Sequence, residues 1–475
     1  MGIKSLELDP TWKNVYNTLV ADAVGRNKNL WQFACFCSAQ ASGCSIALDS
    51  GWGTGKTFFL KQLQMLFDVY GDQSEQLNAD ERKQLQVLFN GYAAEDQLGM
   101  TIKHHVCVYY DAWLNDNADD PLHSFLHELI KQTKTCFVKN EKSDYLKTAC
   151  GIFDAFTGKN TSSLLDLTKD TNPVQDIQDQ QSFHERFADF LDNLIPKEHG
   201  RLLVLIDELD RCKPTYAVQL LERIKHYLSN DKITFVFAIN EKQLLHTIQV
   251  LYGDGFDAYQ YLDRFFDYRL SLPKPDINQF NKYYGYDQVG EQAKLYSSVC
   301  DTFIQEYPLS PREAIKYRQW VKIICDSFLR THNEAEDKSW RVVMFIIIPV
   351  VLGLKIKDNS LYSDFMNGHS SEQYANPLHD IVNSCQIAND YLSHLRPPRM
   401  ENINGTSQWV DTQNATSCID TIYKHLFKTP IIYKDPLSKY GFNFKKEMRD
   451  AVYLAPSLMA VFIKYDTNTE ETANG

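Results

Sequence analysis

Ser50-Gly51-Trp52-Gly53-Thr54-Gly55-Lys56-Thr57 stands where an apolar run, Cys44 to Asp49, gives way to Phe59, Leu63, Leu66 and Phe67 at helical spacing. A glycine-rich turn between a buried strand and a helix is the setting of a phosphate-binding loop. Glycines let the backbone take positive φ and aim successive N–H groups at an anion, and the helix that follows points its positive end at the same place. Lys56 adds a mobile cation for the β- and γ-phosphate oxygens, and Thr57 a hydroxyl ligand for magnesium. Gly51, Trp52, Gly53, Thr54, Gly55, Lys56 and Thr57 are therefore the candidate nucleotide-binding residues, with ATP and Mg2+ the implied cofactors. Ser50 occupies the place where this motif usually opens with glycine. It needs φ below zero or a modest strain, with Gly51 beside it able to take over part of the turn.

The second half of such a site lies in Leu202-Leu203-Val204-Leu205-Ile206-Asp207-Glu208, an apolar strand that ends in two acids. In an open α/β sheet the carboxyl ends of the strands border the ligand crevice. Asp207 is placed to hold magnesium through water, and Glu208 to orient and deprotonate an attacking water. The bland alternative is an acidic turn that caps the next helix, and the company of the Lys56 loop weighs against it. Three further residues join the catalytic candidates. Asn240 follows the apolar run Ile233 to Ile239 and either senses the γ-phosphate or caps the helix starting at Glu241. Arg264 either reaches a nucleotide in its own or a neighbouring subunit or forms an exposed salt bridge. Arg312 follows Ser310 and Pro311, a cap and N1 pair, at the start of a helix that would close over the phosphates.

Around these motifs, short apolar runs at Cys44–Asp49, Val106–Tyr110, Leu202–Ile206 and Ile233–Ile239 alternate with helical patterns at Pro121–Lys134 and Ala217–Leu228. Phe183, Phe187, Phe190, Leu191, Leu194 and Ile195 mark a further amphipathic helix. The alternation predicts an α/β fold, a P-loop NTPase parallel sheet covered by helices on both faces. Past Pro273 and Pro275 the pattern turns helical. The expected division is a nucleotide-binding core over 1–275, a helical lid over 276–330 and a mainly helical C-terminal region over 331–475. Residues 157–181 read as a polar insertion, Glu401–Asn414 as a connection, and Tyr465–Gly475 as a disordered tail.

Composition narrows the function classes. With 44% hydrophobic and 23% charged residues the chain is globular in character, and its net charge of -12 supplies no general positive field for nucleic acid or anionic lipid. No dense Lys/Arg stripe with interleaved aromatics suggests a nucleic-acid motor. Eleven cysteines without zinc-site spacing read as reduced thiols, and the acidic start lacks a secretory signal, which together predict a cytoplasmic protein. Val342–Leu354, interrupted by Pro349, is shorter than the roughly 20 residues of a spanning helix and reads as a buried helix or strand pair, and Ala149–Phe156 is shorter still. A protein partner, or self-association through the C-terminal region, is the expected output. No Asn-Lys-x-Asp motif points to guanine.

Several separate pieces resemble the KAP family of P-loop NTPases, a branch of the STAND and AAA-like ATPases. Gly51-Trp52-Gly53-Thr54-Gly55-Lys56-Thr57 is similar to the family's tryptophan-bearing loop, and Asp111-Ala112-Trp113 resembles its Asn-Ala-Trp signature. Asp207-Glu208-Leu209-Asp210-Arg211-Cys212 with Pro214 is similar to its acidic block, Ser310-Pro311-Arg312 to its Pro-Arg element, and Asp22 with Arg26 to its segment upstream of the loop. Ser50, Asp111, Glu208 and Asn240 depart from the family's usual residues. The resemblance implies ATP hydrolysis coupled to a switch. Many members insert transmembrane helices between the two phosphate-site motifs, where this chain has only a polar stretch. A short form of this kind is similar to bacterial ATPases associated with exclusion of phage, which implies a role in antiviral defence.

Overall fold

Leu202–Asp207 and Ile233–Ile239 are apolar along almost their whole length, so strands at these places need cover on both faces. The computed structural model describes residues 9–70, 77–95, 101–103, 105–118, 120–133, 191, 200–227, 230–284, 291–331, 337–368, 376–394, 399–403, 406–410, 415–428 and 446–466. Two compact units divide the chain, one spanning Asp9–Asp276 and the other containing Ile277–Gly475.

In the first unit five strands, β1 (Ser45–Asp49), β2 (Val106–Asp111), β3 (Leu202–Asp207), β4 (Ile233–Ile239) and β5 (Tyr268–Ser271), form one sheet in the order β2-β3-β4-β1-β5. Every neighbouring pair is parallel. The fold is the expected α/β arrangement. Side chains alternate along each strand and divide the core in two. Ile46, Leu48, Leu203, Leu205, Val236 and Ala238 pack against the helices Asn27–Ala39, Lys56–Tyr70 and Ala79–Glu95. Val204, Ile206, Phe235, Phe237 and Ile239 pack on the other face against Pro121–Thr133, Pro214–Tyr227 and Glu241–Tyr252. Each such side chain taken fully from water stabilises the sheet by about 1.5–3 kcal/mol.

Register fixes where the strands end. Asp49 pairs with Ile239, and Asp207 with Ala238, so β1 and β3 finish within one residue of the same level on either side of β4. Two strand spacings put those ends about 9–10 Å apart. β5 escaped the sequence reading because it is a short edge strand with both end residues exposed and no apolar run. The expected polar insertion at 157–181, the stretch Ala149–Phe156 and the helix through Phe183, Phe187, Phe190, Leu194 and Ile195 lie outside the described residues.

The second unit is helical except for an antiparallel hairpin, β6 (Arg399–Ile403) and β7 (Thr406–Val410), which occupies most of the stretch read as a connection. The helix Lys446–Asp466 carries regular structure past the expected start of the tail at Tyr465, and residues 467–475 lie outside the described ones. Lys338–Lys357 corrects another reading. It is one helix of 20 residues, long and apolar enough by length and composition to cross a membrane, with 83% of its apolar window buried in the protein. Burial, not shortness, is what assigns it to a core. Pro349 does not break it. Proline lacks the N–H that would bond the Phe345 carbonyl and crowds that carbonyl, and a π turn over Val343–Ile347 widens the helix at this spot. The Cys325 thiol donates to the adjacent Met344 carbonyl at 3.4 Å. All nine described cysteines are free thiols.

Gly353, on this helix, faces the ring of the fully buried Phe303, 2.4 Å from where a Cβ would lie. Helix propensity alone favours Gly353→Ala by about 1 kcal/mol, yet overpacking reverses the sign. The variant is expected to lose about 1–3 kcal/mol, read as a lower denaturation midpoint, and a rise would contradict this packing.

Candidate nucleotide-binding site

The loop after β1 takes its shape from two glycines. Gly53 and Gly55 have φ of 74° and 95°, values open to glycine at little cost. Ser50 and Gly51 take no positive φ, so serine at the first position is unstrained and Gly51 takes over no left-handed part of the turn. The serine instead ties the loop together: its hydroxyl donates to Thr54 Oγ1 at 2.8 Å, which donates to the Gly51 carbonyl at 2.8 Å. The Ser50 N–H donates to the Ile239 carbonyl at 3.0 Å, pinning the loop across the end of β4.

Lys56 opens the following helix, and its buried ammonium donates to the carbonyls of Ser50 at 2.8 Å and Gly51 at 3.2 Å. Burial lowers its pKa, while Asp210, Asp207 and Glu208 draw it back up. Thr57 lies one residue on, and its hydroxyl hydrogen-bonds Asp207. This contact joins the two motifs. Asp207 is 0% exposed and also accepts from the Tyr109 hydroxyl at 3.0 Å and from the Glu208 N–H at 2.9 Å. Burial still raises its pKa despite these donors.

Glu208 adopts φ 59° and ψ 22°, a left-handed conformation unusual for a residue with a side chain. Its carboxylate pairs with Arg211 Nε at 2.5 Å, and the Arg211 guanidinium lies 5.6 Å over the ring of Trp113. Burial, and then Asp207, push the Glu208 carboxyl up to about 7, against the pull of Arg211. A second tie crosses the crevice: the Trp52 indole N–H donates to Asp210 Oδ2 at 2.7 Å. Asp210 Oδ1 is buried and, among the described residues, has no hydrogen-bond partner. Trp52 and Trp113 are each about half exposed, 50% and 49%, beside this acidic block.

The structure thus brings together Gly51, Trp52, Gly53, Thr54, Gly55, Lys56, Thr57, Asp207 and Glu208. Asn240 does cap its helix, Oδ1 accepting from the Gln243 N–H at 3.4 Å, which leaves only its Nδ2 donors for a phosphate. Arg264 sits exposed at the end of the helix Ala258–Asp263, and among the described residues no hydrogen bond or ion pair joins it to Lys56, Thr57, Asp207 or Glu208. Arg312 belongs to the second unit, on the helix Pro311–Thr331, where Ser310 and Glu313 form a reciprocal capping box. Sequence reasoning missed Tyr109, Asp210 and Arg211 as site residues. For Tyr109 the usable signal was its place two residues before Asp111, hence on the face of β2 that Asp207 shares in β3.

These groups fit a magnesium–nucleotide pair. Loop N–H groups at positive φ, a cation hydrogen-bonded to loop carbonyls and a hydroxyl against a buried carboxylate are the donor set that a triphosphate with its ion requires. Fold and site together define a P-loop NTPase. More narrowly, the chain belongs to the KAP family, whose P-loop domain matches residues 14–347, more than half of its length. No curated protein matches the chain. Nucleotide binding is what this membership supports.

Glu208 titrates differently when folded than when unfolded. Its ordinary carboxyl value is 4.5 and the folded value about 7, so below 4.5 both states are protonated and the folded one is unpenalised. Between the two values the unfolded chain ionises first, and stability drains away as pH rises. Glu208→Gln, which cannot ionise, is expected to gain thermal stability over wild type across that window and to hold the gain above pH 7. Melting curves from pH 4 to 8 with no widening gap would refute the raised value.

Proposed function

We propose that this protein binds Mg-ATP at the loop Ser50–Thr57 and hydrolyses it, and that the nucleotide cycle drives a conformational or oligomeric switch. The observation that carries the reading is the hydrogen bond between Thr57 and the buried Asp207, with Glu208 adjoining. Thr57 and Asp207 would hold the magnesium ion, which neutralises developing phosphate charge. Lys56 leaves the carbonyls of Ser50 and Gly51 to meet the β- and γ-oxygens. Glu208 swings from Arg211 and accepts a proton from the water that attacks the γ-phosphorus, and the bond to the ADP oxygen breaks. A base with a pKa near 7 suits that task at neutral pH.

Asn240, through Nδ2, would sense the γ-phosphate. Arg264 would act on a nucleotide in its own or a neighbouring subunit, and Arg312 on lid closure over 276–330, with 331–475 carrying a partner or a second copy. Family resemblance favours a role in bacterial defence against phage. A second reading, an ATP-gated scaffold with little turnover, draws on one observation: the carboxylate that would serve as base is engaged in an ion pair with Arg211.

Steady-state turnover separates the two readings. Glu208→Gln is expected to lower kcat by about 10²–10⁴ while retaining ATP on the protein, and wild-type kcat/KM is expected to rise with pH through about 7, as Glu208 loses its proton. Wild-type turnover no faster than that of the variant, or a flat pH profile, would favour the scaffold.

A further inference from the structure

Arg26 lies behind the loop as the N-cap residue of the helix Asn27–Ala39, and it is 3% exposed. Its Nη1 donates to the Thr54 carbonyl at 2.8 Å and lies 3.4 Å from where a side chain on Gly55 would begin. Nε is buried and, among the described residues, has no hydrogen-bond partner. Among the described residues no carboxylate forms an ion pair with Arg26. Asp22, the nearest acid in sequence, spends Oδ1 on the backbone N–H groups of Arg26 and Asn27 at 2.8 and 3.0 Å. Its φ of 46° belongs to the left-handed turn that closes the helix Trp12–Val20, where the Ala23 N–H donates to the Thr18 carbonyl at 2.9 Å and the Asp22 N–H to the Leu19 carbonyl at 3.1 Å. Burial alone acts on the guanidinium and brings it down to about 10, which leaves it charged at neutral pH.

A buried guanidinium that meets a carbonyl and, among the described residues, no acid is poorly compensated for its lost hydration, which destabilises the nucleotide-free protein. An anion in the concavity of the loop would supply the missing charge. Thr54 and Gly55 belong to the part of the loop whose N–H groups cradle the α- and β-phosphates. We propose that Arg26 is a second cation of the phosphate site, acting from behind the loop on the α- and β-phosphates of the bound nucleotide. This rests on the reading of Ser50–Thr57 as a nucleotide site. Lys56 follows the γ-phosphate from the front, whereas Arg26 is fixed and serves ADP and ATP alike.

The test pairs two variants of the full chain, Arg26→Met and Arg26→Lys, with two readouts: dissociation constants for Mg-ADP and Mg-ATP, and the melting temperature without nucleotide. Arg26→Met removes a poorly compensated charge. Both nucleotides are expected to weaken by the same factor, about tenfold or more, while the nucleotide-free Tm holds or rises by about 2–4 °C. Arg26→Lys keeps the charge and is expected to stay within about threefold of wild type for both nucleotides. Affinities for Arg26→Met within roughly twofold of wild type together with a lower nucleotide-free Tm would make Arg26 a structural prop and overturn the proposal. Where the methionine variant does not fold, the lysine variant decides, and a tenfold loss there would overturn it too. A wild type that binds neither nucleotide refutes the site itself, so the two failures are told apart.

Discussion

The hydrogen bond between the Thr57 hydroxyl and the buried Asp207 is the contact on which the rest of the site depends. It exists because β1 and β3 run parallel on either side of β4 and stop at the same level. The loop leaving β1 then has to cross the end of β4, where the Ser50 N–H meets the Ile239 carbonyl. Its helix returns over the face that carries Leu203 and Leu205, which is also the face of Asp207. A one-residue slip of β3 would turn Asp207 to the opposite face and break its hydrogen bonds with Thr57 and Tyr109.

Around that contact the protein has gathered more charge than its burial favours. Asp207, Asp210 and Lys56 are each nearly enclosed, and Glu208 is held in a left-handed conformation beside them. Several of these groups are satisfied by stand-ins: loop carbonyls for Lys56 and Arg211 for Glu208. Others, Asp210 Oδ1 and Arg26 Nε, have no hydrogen-bond partner among the described residues. Buried polar groups left this way cost about 1–3 kcal/mol each. Such a site gives up stability to hold charge in place, and the Trp52–Asp210 bond ties the loop to the acidic block.

The central strands were legible because burial on both faces leaves an apolar run that few other structures produce. β4 matches its sequence reading residue for residue, and Asp207 followed from the end of β3. β5, exposed at both ends of an edge strand, left no such mark. Pro349 misled in a different way, since the helix accommodates it with a π turn over Val343–Ile347 that the apolar pattern does not mark. Motif residues were legible by type and spacing, but their pairings were not. Nothing in the order of residues says that Trp52 reaches Asp210, that Arg211 lies over Trp113, or that Arg26 packs behind Thr54. Those contacts come from the register of the sheet and the crossing of its loops.

The most direct measurement is titration calorimetry of the full chain with ATP, once with magnesium and once with magnesium chelated. Convergence of Lys56, Thr57 and Asp207 on one ion-bound triphosphate predicts one nucleotide per chain, with affinity at least about tenfold weaker when the ion is removed. Absence of heat in both titrations, or equal affinity with and without magnesium, would contradict it.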